Sequence, residues 1–371
     1  MSGASGDGAH APGGSPVSAG ADTAADRRAN PGDGAPRHGD PAAGRRWLDL
    51  LRDQPAAPVP DPVLPSSADL ARRLDLLAVP GQDRKPVYEG LTAAAEDPAA
   101  REALFRCHQR LFADGPESPT APPVWPDAPA GLGEAGRYFY VHLLVLALPA
   151  ALERQRALGI PDDVVAATFA DLGAKLRSYR LAYGTGGFDR QRWMVRHFRG
   201  TLHRLGRLQF ERGILDAEGC GGDAEAAGGP AHGDPVLQVH IPEDGPLSRA
   251  GCDASFAAAG PFHDRHFPET RFRHATCSSW LLDRQWADHL PESSNILAFQ
   301  RRFQPFGALP AGDDDVLEFV FHVLPGRADL DRLPQETTLH RAAVGHLRAG
   351  GHWRMTHGWT SVPGRGAGGG A

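Results

Sequence analysis

Near residue 205 the hydrophobic period of this chain changes, and no other feature constrains its folding as much. Up to Gly200 the apolar residues recur every three or four positions, the period of a helix with one buried face. Ser66-Ser67-Ala68-Asp69 opens such a helix, with Leu70, Leu74 and Leu77 on one side. Pro98 opens another, carrying Ala103, Leu104, Cys107 and Leu111. Residues 138–158 are apolar nearly all round at first, which predicts the central helix of a bundle. The apolar stretch is about 15 residues long and holds His142 and Pro149, short of the ~20 needed to cross a bilayer. Pro161-Asp162-Asp163 starts a further helix, since proline suits the first turn and carboxylates complement the helix dipole. Val164, Val165, Phe169, Leu172 and Leu176 follow at helical spacing, and residues 188–200 form one more short helix.

Beyond that point strands enter. Residues 205–212 alternate, and Val236-Leu237-Gln238-Val239-His240-Ile241 closes on Pro242. The two runs predict neighbouring strands joined by the Gly/Ala-rich residues 217–234, expected as a mobile loop. Helix follows at 253–267, strand at 274–282, a short helix at 283–290, strand at 316–323 by strict alternation, helix at 337–348 and a last strand at 352–362; residues 295–306 give no clear type. The fold class is therefore α+β: an all-helical domain over residues 46–200, then a mixed α/β domain over 201–362. Residues 1–45 and 363–371 lack the apolar side chains that offset ordering entropy and are expected as disordered tails.

Charge and cysteine usage narrow the function. A net charge of −6 and a pI near 6.3 supply neither a nucleic-acid footprint nor a polybasic membrane patch. The first 46 residues lack the apolar core of a secretory signal, and four cysteines without a C-x-x-C pair fit a reducing cytoplasm. Of 39 basic residues only Lys85 and Lys175 are lysines, the mark of a GC-rich genome. The run Arg190, Arg192, Arg196, Arg199, Arg204 and Arg207 is accordingly expected on the solvated side of a helix, ahead of a phosphate site. His263-x-x-His266 and His274-x-x-Cys277 match no usual zinc frame, so no metal is expected.

Several phrases are more specific. V-H-I-P-E-D-G-P-L (239–247), C-S-S-W-L-L-D (277–283), L-P-E-S-S-N-I-L-A-F-Q-R-R-F (290–303), L-E-F-V-F-H-V (317–323) and L-P-Q-E-T-T-L-H-R-A-A-V-G-H-L-R-A-G-G (333–351) resemble an actinobacterial family of acyltransferase domain-containing proteins. That family joins a helical N-acyltransferase N-terminal domain, which G-I-P-D-D-V-V-A-A-T-F-A-D-L-G-A-K-L (159–176) resembles, to a domain like the GNAT (GCN5-related N-acetyltransferase) core. The resemblance covers roughly residues 45–362.

It implies a donor, acetyl-CoA or another acyl-CoA, bound where two parallel strands splay, with its pyrophosphate on the loop and helix N-terminus that follow. The superfamily pattern there is [Q/R]-x-x-G-x-[G/A]. Arg249-Ala250-Gly251-Cys252-Asp253-Ala254 keeps the Arg and the final Ala but has Cys252 in place of Gly, with Gly251 one place early. The implied donor residues are Ser248, Arg249, Gly251, Cys252 and Asp253, with the acidic Glu243 and Asp244 close by.

His240, ending a strand beside this site, has the titration range of a general base, with Glu243 three residues on. Cys277 on the next strand is a second candidate for chemistry, as nucleophile. Trp280 reads as pocket wall, Asn295 and Gln300 as amides orienting a substrate. Glu318 and His322 share one face of the strand expected at 316–323. The leading reading is transfer of an acyl group from CoA to an amine on a small molecule. The alternatives are a non-catalytic GNAT-like binding or sensor protein with a degenerate CoA loop, and a Cys277-dependent hydrolase.

Overall fold

The computed structural model describes residues 41–52, 63–113, 125, 126, 128 and 133–363. Residues 1–40 and 364–371 of the expected tails lie outside the described residues. The helical period of the first half becomes α1 (Pro41–Arg52), α2 (Ser67–Leu76), α3 (Gly81–Glu96), α4 (Pro98–Leu111), α5 (Gly133–Arg137), α6 (Phe139–Ala157), α7 (Asp162–Phe169), α8 (Asp171–Tyr183) and α9 (Gln191–Arg199).

Helix α6 is the centre, as its sequence requires: every residue from Phe139 to Leu148 is buried. Trp47 of α1 packs its ring edge-on against Phe139 at 4.7 Å. His142 is tolerated there because burial pushes its pKa down to about 3 and keeps the imidazole neutral. The helical run from Pro161 to Leu176 is broken at Ala170 into α7 and α8. Gly173 explains how closely α8 then docks, because a Cβ there would sit 2.1 Å from the carbonyl oxygen of Ala78.

The second half is built from β1 (Leu202–Leu205), β2 (Leu208–Ile214), β3 (Pro235–His240), α10 (Arg249–His266), β4 (His274–Ser279), α11 (Asn295–Gln300), β5 (Gln304–Phe306), α12 (Asp313–Phe321), α13 (Thr338–Arg348) and β6 (Thr356–Ser361). The strands form one mixed sheet in the order β1-β2-β3-β4-β6-β5. Only β3 and β4 run parallel, and they pair at just three positions, Val236↔His274, Leu237↔Ala275 and Gln238↔Thr276. Both strands continue beyond those pairs, so their C-terminal ends diverge.

Alternation assigns the two faces of the sheet. Leu208, Phe210, Leu237, Val239, Ala275 and Cys277 pack with Cys252, Phe256 and Ala259 of α10. Gln209, Glu211 and His240 take the other face, where Arg196 and Trp193 of α9 meet them.

Two expectations are corrected. Residues 316–323 are not a strand: three carboxylates, Asp313, Asp314 and Asp315, occupy the first turn of a helix and favour it through the dipole. Residues 217–234 are not a bare loop either. Leu215, Cys220 and Ala224 form a small core with Val236, Phe306 and Trp359, and the Cys220 carbonyl accepts a bond from Ala308 N at 2.8 Å.

Leu144, 2% exposed in the middle of α6, supports the whole bundle. Leu144→Ala is expected to lower stability by about 2–5 kcal/mol in denaturant titration, whereas a loss under about 0.5 would place that helix at the surface.

Candidate active site

Where β3 and β4 diverge, a cavity of about 360 Å³ opens. His240, Ile241 and Pro242 line it from the end of β3, and Ser279, Trp280 and Leu281 from the end of β4. Gln209 of β2 and two residues of the helical domain, Lys175 and Trp193, complete that end. Ile296, Phe319, Leu339 and Met355 add apolar lining, with the polar Asn295 and Asp315 beside them.

His240 is 2% exposed, and its Nε2 lies 3.0 Å from Oε2 of Glu211. The same carboxylate accepts from Nε of Arg196 at 3.0 and 3.1 Å. Burial opposes the charge on Glu211, but Arg196 and His240 outweigh it and hold the carboxyl below its usual range. An ionised carboxylate only accepts, so Nε2 of His240 carries the hydrogen. In the neutral imidazole Nδ1 is then the nitrogen with the lone pair, and it has no hydrogen-bond partner among the described residues. Trp193 fixes the ring from one side, edge-on at 4.8 Å. Trp193 is itself held by Asp171, which accepts from its indole Nε1 at 2.6 Å and lies 3.1 Å from Nε2 of His197. Burial works against ionised Asp171, yet the Lys175 ammonium and His197 hold its carboxyl well below the usual range.

The loop between β3 and α10 is pinned from below. Oε1 of Glu243 accepts from Nζ of Lys175 at 3.0 Å, and Oε2 from Oγ of Ser178 at 2.5 Å. Asp244 is held by Arg204 at 2.6 and 3.0 Å. Arg207 donates to the carbonyls of Pro242 and Gly245 at 2.7 Å and of Pro246 at 2.9 Å. Both acidic side chains of the loop are thus neutralised by neighbouring cations. Ser248 then caps α10, its Oγ accepting from Gly251 N at 3.2 Å.

The sequence matches two domain profiles: the N-acyltransferase N-terminal domain over residues 68–200 and the GNAT-like C-terminal domain over residues 202–360. Solved acyltransferase structures match across both. One, in complex with decanoyl-CoA and teicoplanin, is 35% identical and covers 87% of this chain and 95% of its own, with a TM-score of 0.72. A mutant acyltransferase in complex with octanoyl-CoA is 35% identical over the same shares, with a TM-score of 0.71. A third, in complex with decanoyl-CoA, is 34% identical and covers 87% of this chain and 100% of its own, with a TM-score of 0.73. The chain belongs to this family of two-domain acyltransferases. No curated protein matches it.

Of the residues singled out in the acyltransferase sequence, His240, Glu243, Trp280 and Asn295 line the cavity. Ser248, Arg249, Gly251, Cys252 and Asp253 do not; they form the cap and first turn of α10, just past the cavity rim at Gly245, Pro246 and Leu247. Within that turn Cys252 points into the core, and Asp253 is engaged by Arg302 at 2.5 Å. Cys277 is not placed to be a nucleophile. It lies in the core beneath α10, and burial pushes its thiol up to about 12. Gln300 braces the chain after β4 instead of facing a substrate, donating to the carbonyls of Leu281 and Asp283 at 2.8 Å.

Because residues 313–321 are helical, Glu318 and His322 do not share a cleft face. Glu318 is buried against Arg190, and His322 is the left-handed residue closing α12 at φ +55°. Asp315 and Phe319, one turn apart, line the cavity in their place.

The arginine run is no solvated face. Arg190 and Arg196 join the two domains through Glu318 and Glu211, Arg204 and Arg207 hold the loop after β3, and Arg199 is buried, donating to the Leu111 carbonyl at 2.9 Å. Sequence reasoning missed Gln209, Glu211, Lys175 and Trp193. One signal was present: Lys175 is one of just two lysines. Among the described residues, no three His, Cys, Asp or Glu side chains are grouped to hold a metal, and no helix is long and apolar enough to cross a membrane.

The depressed Glu211 pKa fixes a pH dependence. Its contribution to stability is complete above the ordinary glutamate value and is lost as pH falls through the lower folded value. Glu211→Gln is expected to be less stable than wild type at pH 7 and to show a shallower loss of stability in acid. Identical acid melting curves would contradict the pairing.

Proposed function

We propose that this acyltransferase moves a medium-length acyl group from acyl-CoA to an amine, with Nδ1 of His240 as the general base. The observation that carries the reading is the His240 imidazole in the strand divergence, its Nε2 facing ionised Glu211 and its Nδ1 without a hydrogen-bond partner among the described residues. The solved relatives hold octanoyl-CoA or decanoyl-CoA, and the apolar wall of Trp280, Leu281, Ile296, Phe319, Leu339 and Met355 suits acyl chains of that kind.

The amine attacks the thioester carbonyl while Nδ1 removes its proton. The C–S bond then breaks, and the departing thiolate takes up a proton, giving an amide and free CoA. The backbone N–H groups at the start of α10, with Arg249, would hold the pyrophosphate. Pairing of Glu243 and Asp244 with Lys175 and Arg204 removes the repulsion that these acids would otherwise exert. In this reading Glu243 anchors the donor loop and is not the base. For the acceptor, the relative solved with decanoyl-CoA and teicoplanin makes an amine on a teicoplanin-like molecule the first to test.

Release of CoA thiol, with product mass measured after incubation with decanoyl-CoA and de-acylated teicoplanin or a panel of amines, tests the reading. Wild type is expected to form the decanoyl amide. His240→Ala should lower kcat by about 10²–10⁴-fold with donor affinity kept. Arg249→Ala should weaken CoA binding by roughly tenfold to a hundredfold, as loss of a charge-assisted bond worth about 1.5–3 kcal/mol implies. A wild type that neither binds decanoyl-CoA nor releases thiol would leave the non-catalytic binding protein in front.

A further inference from the structure

Gln209 occupies the β2 position directly opposite His240. It is 1% exposed and lines the same cavity, and its amide nitrogen has no hydrogen-bond partner among the described residues. Strand alternation puts it there: Leu208 and Phe210 enter the core under α10, while Gln209 and Glu211 turn to the face that carries His240. Glu211 and Gln209 thus flank the imidazole on one strand. The carboxylate is used up on His240 and Arg196. The amide is left with a desolvated donor, which raises the free energy of the empty site until an acceptor meets it.

We propose that Gln209 donates a hydrogen bond to the thioester carbonyl oxygen of bound acyl-CoA and to the oxyanion that forms from it. This rests on His240 acting as base in acyl transfer. The sense of the bond decides between partners. The attacking amine must aim its lone pair at carbon and its N–H at Nδ1 of His240, so it has no acceptor to offer a second donor. The thioester oxygen does, and its need grows through the step. As the C–N bond forms, the carbonyl π electrons move onto oxygen. When that charge returns, the C–S bond breaks and the sulfur leaves with the electron pair. Among the described residues two cations also line the cavity, and both are engaged: Lys175 by Glu243, and Arg207 by the carbonyls of Pro242, Gly245 and Pro246. An uncharged donor that strengthens its bond as charge develops is the arrangement that lowers a barrier without over-stabilising the substrate.

The test uses the full chain and decanoyl-CoA with the best amine found for wild type. Gln209→Leu keeps the volume and removes the donor; Gln209→Glu keeps the shape and supplies only acceptors at neutral pH. Both are expected to lose about 10²–10³-fold in kcat. KM and calorimetric affinity for decanoyl-CoA should change by less than about tenfold in Gln209→Leu, and that variant should melt no lower than wild type, since it removes a buried unpaired donor. A kcat within about threefold of wild type, or a loss confined to KM, would overturn the assignment while leaving the acyl-transfer reading intact. Failure of wild type itself to transfer would instead reject that reading. Should both variants misfold, the carbonyl stretch of decanoyl-CoA bound to wild type carries the test: a shift below its value in an apolar solvent is expected, and an unshifted band overturns the proposal.

Discussion

The early end of pairing between β3 and β4 is the constraint on which the site depends. A strand that leaves its neighbour exposes backbone donors and acceptors that are costly when buried unpaired. Here each strand is held from its other side. β3 stays paired to β2 as far as Gln209↔His240, and β4 stays paired to β6 as far as Ser279↔Thr356. The two ends can therefore separate without fraying, and the edges that face each other across the gap remain available to a ligand. His240 stands at that gap because it is the last residue of β3, not because any loop carries it. A site on strand ends is stiffer than one on a loop, which suits chemistry that needs a fixed proton acceptor.

The helical domain completes this site and does more than accompany it. Trp193 and Lys175 form part of the cavity wall, Arg196 keeps Glu211 ionised, and Lys175 with Ser178 anchors the donor loop. Arg190 and Glu318 add a buried pair further along the junction. Buried pairs contribute little net stability once desolvation is counted, but an unpaired charge there is costly. Their value is positional: only one docking of the two domains satisfies all of them at once. Neither domain alone presents the geometry around His240.

Much of the fold was legible in the sequence, for physical reasons. The apolar run of α6 had to be buried, the Pro161-Asp162-Asp163 start matched its helix, and the V-L-Q-V-H-I run before Pro242 holds β3, which ends at His240. The misread element was α12, where V-L-E-F-V-F fits both a two-residue and a short helical period; the preceding carboxylates decide it through the dipole. The site was half legible. His240 carried its chemistry in its residue type and its place at a strand end. Gln209 and Glu211 carried nothing local, because their roles come from the β2–β3 register, which pairs residues about thirty positions apart. The arginine run misled because compositional bias hides the few arginines that a junction requires.

A crystal structure of the chain with a non-hydrolysable decanoyl-CoA analogue tests the central claim most directly. The account predicts the sulfur and adjoining carbonyl position between the ends of β3 and β4, beside His240 and Gln209. The acyl chain should run along Trp280, Ile296 and Phe319, and the pyrophosphate should lie at the start of α10. An analogue bound with its acyl chain in the separate groove lined by Leu282, Leu297 and Phe303, away from His240, would contradict it.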